Sequence, residues 1–455
     1  MQNATFLGTD PIGKLLRRLA IPTITAQVIN MLYNVVDRIY IGNMPDIGAL
    51  ALTGIGLCTP ILMIVSAFAA LVGSGGAPRA SIAMGTGDEK QAGKILGNCF
   101  TLQIVIALVL SVILLCSHRT LLMLFGASEN TIEYAVDYLK IYSLGTIFVQ
   151  LTLGMNAFIT AQGFSQVSMK TVIIGAILNI ILDPIFIFVL DMGVSGAAIA
   201  TVISQGVSCL WVLWFLFGKK AIVRLQKKYM GINPKVLGNC IALGLSPFIM
   251  QASESILSIC FNTSLLRYGG DVAVGAMTII SSVMQLGFLP LQGLAQGAQP
   301  ITSYNYGAGN AKRVKETFTL LLKWSVGLTV FLWILLMLVP HMFARLFTGD
   351  AELITFTIPA MRIYFGAFLV FGVQMSCQMT FVAIGYAKIS IIVAIMRKFV
   401  LLIPLIYILP MFTEQKTMAV YFAEPVADFL SAVFTAVMFC IQFKQAMKNL
   451  ELKNS

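Results

Sequence analysis

The chain has 455 residues, 58% hydrophobic and 11% charged, with a net charge of +11 and a mean hydropathy of +0.89. A water-soluble fold of this size needs far more charge to cover its surface, so the composition points to an integral membrane protein. The positive charge sits mostly in alternate short loops between apolar runs, which is how a membrane protein orients itself and argues against a nucleic-acid partner.

The apolar residues come in long unbroken runs rather than short alternating segments, so helices are predicted and not a β-barrel. The N-terminus reads as polar up to Asp10, and the first apolar run is long enough to span, so no cleavable signal is expected. Spans are predicted at about 15–41, 49–76, 92–117, 131–158, 167–190 and 194–218, then at about 236–265, 272–299, 314–339, 353–382, 388–411 and 417–445. The basic stretch 219–235 reads as a cytoplasmic linker between a lobe at 1–218 and a second at 236–455. Lys14, Arg17, Arg18, Arg79, Lys90, Lys94, Lys170, Lys219, Lys220, Arg224, Lys312, Arg313 and Lys444 fall on one side, against Arg119, Arg267, Arg345 and Lys416 on the other. Both termini are therefore expected in the cytoplasm.

Polar groups inside spans are costly and mark function by default. In the first span, Tyr33 and Asp37 lie four apart on one helix face, with Asn34 beside them. In the fifth, Asn179 and Asp183 repeat that spacing, and Pro184 loosens the backbone directly after. In the sixth, Thr201 follows the small-residue run Gly196–Ala200, which lets helices approach closely. These five residues are expected to form one pocket in the first half, suited to a proton relay or to Na⁺ held by Asp37, Asn179, Asp183 and Thr201. The plainer reading makes Asp37 and Asp183 helix-end groups in the interface.

In the seventh span Glu254 lies mid-helix among Met250, Gln251 and Ser253. With Gln285, Gln374 and Gln378 these are candidate cargo contacts, because Met and amide side chains make an adaptable, partly polar wall. Glu424 and Asp428 in the last span are expected to compensate each other or face a cleft. Arg397 and Lys398 interrupt the eleventh span and are expected to snorkel to the cytoplasmic interface. The eight cysteines form no CxxC pair and read as small hydrophobes, and the two histidines make no metal site.

The halves repeat. Pro78, Gly85 and Gly87 recur 222 residues later as Pro300, Gly307 and Gly309, and Leu124-Phe125 recurs as Leu346-Phe347 at the same offset. Six spans per half is an even number, so both halves insert in the same sense, as a parallel repeat about an axis along the membrane normal. The fold class is thus all-α integral membrane, with twelve transmembrane helices in two six-helix lobes related by a parallel pseudo-two-fold.

Over nearly its whole length the chain resembles the multidrug and toxic compound extrusion (MATE) family, most of all its MepA-like bacterial branch. The resemblance rests on Pro22, on Asn34 to Asp37, on Pro78 with Gly85-Thr86-Gly87, on the run Leu178 to Pro184, on Gly193 to Ala198, and on Gly297 to Pro300. It implies an inner-membrane antiporter that exports organic cations in exchange for Na⁺ or H⁺ by rocking of two lobes. It also implies an ion site on Tyr33, Asp37, Asn179, Asp183 and Thr201 and an acidic residue of the second lobe at Glu254. One departure is that the tenth span carries Gln374 and Gln378 where some members have a second acid. Such a protein is expected to work as a monomer in the bilayer, without a cofactor and without an enzymatic step.

Other classes fit less well. A lipid-linked or polar metabolite flippase of the same superfamily needs cations to hold pyrophosphate, and the candidate pocket residues are acidic or neutral. An intramembrane enzyme needs an Asp cluster, an HExxH motif or a nucleophile–base pair, and no such pattern stands in the chain. No GxxxxGK[ST] segment is present, so ATP hydrolysis within this chain is excluded as the driving force. A channel is less suited to a two-fold repeat with offset acidic sites than alternating access is.

Overall fold

The computed structural model describes residues 5–45, 47–125 and 128–452, and among them every regular element is helical. After a one-turn helix at Phe6–Thr9, six long helices build the first half: α1 (Ile12–Gly42), α2 (Gly48–Gly85), α3 (Glu89–Leu124), α4 (Ile132–Ala161), α5 (Ser165–Pro184) and α6 (Gly193–Phe217). A π-helical turn, Ile185–Val189, prolongs α5 beyond Pro184. The proline supplies no N–H for the α-helical ladder, and one wider turn carries the backbone past the gap.

The second half begins with 74 helical residues, Pro234–Gly307, which as a straight rod would be about 110 Å long. Gly270 breaks it with φ 64° and ψ −161°, a conformation that glycine adopts without a side-chain clash. The chain doubles back there, because the glycines near both ends, Gly244 and Gly307, pack against the same helix, α2. The two arms, 234–269 and 271–307, are α7 and α8. Next come α9 (Ala311–Leu338) and α10, a span broken into Ala351–Tyr364 and Phe368–Ala383 with a 49° bend. The last two are α11 (Ala387–Met411), with a π-helical turn at Met396–Leu402, and α12 (Lys416–Leu452). Ten helices are long and apolar enough to cross a membrane, the bent pair adds one, and the doubled Pro234–Gly307 counts twice, which gives the twelve expected spans among the described residues. Several helices outrun their predicted apolar cores: α2 continues to Gly85 and α3 to Leu124, because the polar turns beyond the hydrocarbon stay helical.

Packing is split along the bundle axis. At the end carrying most Lys and Arg, here the basic end, one core joins both halves: Leu15, Leu19, Leu96, Phe158 and Leu216 from the first, and Leu294, Ala298, Ile301 and Leu321 from the second. Toward the opposite end each half has its own core, around Ile41, Cys58, Tyr138 and Val194 in one and around Phe261, Ile280, Phe365 and Tyr421 in the other. The lobes therefore meet at the basic end and part toward the other, leaving a V-shaped cleft.

The junction is built on glycines. Gly85 packs onto the Tyr304 carbonyl, and Gly307, one repeat away, packs onto the Ile82 carbonyl, so each lobe presents its missing side chain to the other's backbone. Gly75 meets Cys240 in the same way. Side-chain bonds cross nearby: the Thr23 hydroxyl donates to the Gly293 carbonyl at 2.6 Å, and Asn305 Nδ2 donates to the Leu7 carbonyl at 2.9 Å.

The stretch between the lobes is not a loose tether. Ala221, Val223 and Leu225 are buried in the shared core, and the Val223 N–H donates to Gln162 Oε1 at 2.9 Å. Asn98 of α3 clamps it further on, donating to the Tyr229 carbonyl at 3.2 Å and accepting from the Asn233 N–H at 2.6 Å.

Candidate functional site

The far half of α1 shows its surroundings by its pattern of exposure. Leu32, Val35 and Ile39 are exposed on one face, the lipid side. Asn30, Asn34 and Arg38, four apart, are exposed on another, a polar stripe that only the cleft can accommodate. Between these faces Tyr33 and Asp37 turn inward toward α5 and α6.

On α5, Asn179 and Asp183 share a face one turn apart and are buried, Asp183 completely at 0% exposure. Asn179 Nδ2 donates to Asp183 Oδ1 at 3.1 Å and reaches Thr201 Oγ1 at 3.4 Å. Thr201 gets that close because Gly196 of α6 lies directly on the Phe186 backbone in the π-helical turn, which a larger residue would prevent. The carboxyls of Asp37 and Asp183 lie close enough to act on each other, and Tyr33 stands beside both. The five residues named from the sequence thus occupy one place.

Two residues there were missed. Tyr138 of α4 lies beside Thr201 and close to Asp37, and Tyr142 is next to Tyr33. Their rings stack at 6.2 Å. The available signal was two phenols four apart within an apolar span, the same spacing that drew attention to Tyr33 and Asp37.

Three oxygens of the site, Asp37 Oδ1, Asn179 Oδ1 and Asp183 Oδ2, are buried with no hydrogen-bond donor. Leaving such oxygens without a donor costs about 1–3 kcal/mol each, more for charged groups. Two carboxylates, an amide oxygen and a hydroxyl form a donor set that fits a hard, oxygen-bound cation or a proton.

The second lobe arranges its charges differently. Lys398 Nζ donates to Glu254 Oε1 at 2.6 Å. Arg397 donates from Nε to Asp428 Oδ1 at 2.8 Å and from a terminal nitrogen to Glu424 Oε1 at 2.9 Å, with its guanidinium over the Phe371 ring at 5.0 Å. Arg397 and Lys398 are only 5% and 4% exposed. This corrects the expectation that they snorkel to an interface: the π-helical turn Met396–Leu402 directs both inward, and three carboxylates from α7 and α12 receive them. Glu424 and Asp428 likewise do not compensate each other but share Arg397. Cations and acids at similar depth in separate spans were the sequence signal for this pairing.

Of the remaining candidates, Met250 and Gln251 are partly buried one turn or less from Glu254, and Asn34 and Gln285 are exposed. Gln374 and Gln378 are buried within the second lobe rather than on the cleft wall. Gln374 Oε1 accepts from Ser431 at 3.0 Å, and Gln378 Nε2 donates to Ser246 at 3.0 Å, so both amides tie helices together.

Comparison with known proteins places this arrangement in context. The model of the MatE family matches the chain twice, at residues 22–185 and 247–408, once in each lobe. The multidrug export protein MepA of Staphylococcus haemolyticus (strain JCSC1435) is 25% identical over 398 residues, 88% of this chain and 87% of that one. MepA of Staphylococcus aureus (strain MSSA476) is 24% identical over 401 residues, 88% of each. Among solved structures, a MATE protein in its bent conformation superposes with a TM-score of 0.92 at 24% identity, covering 99% of both chains. A MOP superfamily transporter from Pyrococcus furiosus, described as having a binding pocket of reverse polarity, gives 0.91 at 24% identity over 98% of this chain and 99% of that one. An outward-facing multidrug resistance MATE transporter gives the same values.

Proposed function

The chain belongs to the MatE family, and from that premise we propose that it is a secondary active multidrug exporter. It expels lipophilic organic cations in exchange for Na⁺ or H⁺ by alternating access of its two lobes. The observation that carries the coupling is the three buried oxygens that lack a donor, on Asp37, Asn179 and Asp183, with the two carboxyls close together. Two carboxylates buried against each other are costly while both are charged. A proton or a Na⁺ removes that cost, and an ion that stabilises one packing of α1 against α5 and α6 more than another shifts the lobe between two states. Asn179, Thr201, Tyr33 and Tyr138 hold the pair in place and supply further oxygens.

The cargo class is supported by the relatives' names and by the cleft itself, where Glu254 stands near Met250 and Gln251. Lys and Arg gather at the end where the lobes join, so that end, and both termini, belong in the cytoplasm. The cleft then faces outward, with the lobe 1–218 and the lobe 236–455 as its walls and 219–235 as the cytoplasmic seam. A monomer suffices for this cycle.

The test is ethidium transport in everted membrane vesicles from cells making the protein at verified levels. Dye should accumulate in the vesicles when a Na⁺ or pH gradient is imposed, and the gradient that drives it identifies the coupling ion. Transport no different from control vesicles across a panel of cationic dyes, under either gradient, overturns the reading.

A further inference from the structure

Both lobes place a polar cluster on their first, fifth and sixth helices, beside a π-helical turn of the fifth: Ile185–Val189 in one and Met396–Leu402 in the other. Their charge balance differs. The first lobe sets Asp37 against Asp183; the cation near them, Arg38, is exposed and bonded to neither carboxylate. The second supplies its own cations, Arg397 for Glu424 and Asp428, and Lys398 for Glu254.

The Lys398–Glu254 pair is asymmetric in a way that matters for cargo. The Lys398 side chain is 5% exposed and that of Glu254 is 50% exposed. A mid-span carboxylate cannot be exposed to lipid without a large penalty, so Glu254 opens into the cleft while the ammonium holds it from the protein side. Arg397 gives its hydrogen bonds to the carboxylates of α12 and acts on Glu254 only through its more distant charge, so Lys398 is the cation bonded to Glu254.

We infer that Lys398 is a tethered cation that sets the selectivity of the second lobe: it neutralises Glu254 from within, so a cationic cargo engages that carboxylate only in competition with the ammonium. Lys398 is thus a specificity-determining residue that acts through Glu254 and touches no cargo. The second lobe is already loaded with a cation, which leaves exchangeable-ion binding to the first. Cargo with one delocalised charge meets a carboxylate whose field is largely cancelled, and recognition there leans on apolar contact with Met250 and its neighbours.

This inference rests on the cation-export reading, and the two fail differently. The experiment measures equilibrium binding of tetraphenylphosphonium to the purified protein in nanodiscs. Lys398→Met frees Glu254 and should tighten binding about tenfold. Lys398→Arg keeps the charge and the pair and should bind like wild type. Glu254→Gln leaves a buried ammonium unpaired and should weaken binding. Adding Glu254→Gln to Lys398→Met should cancel the gain. Binding by Lys398→Met no tighter than wild type, or a gain that survives Glu254→Gln, overturns the inference. Should Lys398→Met not fold, Lys398→Gln set beside Glu254→Gln/Lys398→Gln decides: tighter binding by the first that the second loses supports the inference, and no gain in the first, or one that survives in the second, overturns it. Absence of dye export by wild type would count against the export reading alone, since tetraphenylphosphonium binding to the freed carboxylate needs no transport cycle.

Discussion

Asp37 and Asp183 come from helices far apart in the chain, yet their carboxyls lie close together, and one oxygen of each lies buried without a donor. An amide can replace Asp183 in shape and still meet Asn179, but it carries no charge for an ion to neutralise. Asp183→Asn should therefore leave a folded, inserted protein whose gradient-driven export falls to near background, because the gradient no longer has a charge to act on. Dye binding should persist. Export rates in proteoliposomes, set beside thermal unfolding in detergent, check this, and a variant of normal stability exporting at the wild-type rate removes Asp183 from the coupling step. Asp37→Asn should behave in the same way.

At the scale of the helix, the lobes can meet only where side chains are missing. Gly307 lies on the Ile82 carbonyl and Gly85 on the Tyr304 carbonyl, and backbone atoms cannot swing aside as a flexible side chain can. Gly307→Ala forces α8 and α2 apart and should cost about 1–3 kcal/mol at the junction. Cys240, buried at that same junction, should then label faster with a small maleimide. Gly327→Ala is the control, since nothing lies within 4 Å of the position its methyl would take. Equal Cys240 labelling in both variants would mean that the junction tolerates the methyl.

For the whole molecule, alternating access requires the shared core at the basic end to come apart. Two free cysteines face each other across that seam: Cys99 of α3 and Cys240 of α7, both buried, with their side chains close together. Oxidising them with copper phenanthroline, or bridging them with a short thiol crosslinker, ties the lobes together where they must separate. Export by the purified, reconstituted protein should fall to background and return after reduction. Cys99→Ser should be immune. A crosslinked protein that still exports would show that the lobes cycle without parting at this seam.

The sequence by itself determined the membrane class, the twelve spans and the two-fold repeat, because each is a matter of local hydropathy and a fixed offset, as with Gly85 and Gly307. It also pointed to the residues of the first-lobe cluster, since Asp37, Asn179 and Asp183 are costly in an apolar helix wherever it lies. Only the tertiary structure decided their partners. Tyr138 enters the cluster because α4 packs along α6, which no spacing within α4 encodes. Gln374 and Gln378 are withdrawn from the cleft because Ser431 and Ser246 reach them first. Arg397 and Lys398 look alike to hydropathy whether they snorkel or turn inward. A π-helical turn and three carboxylates on other helices decided it, because a buried charge goes where its counter-charge is.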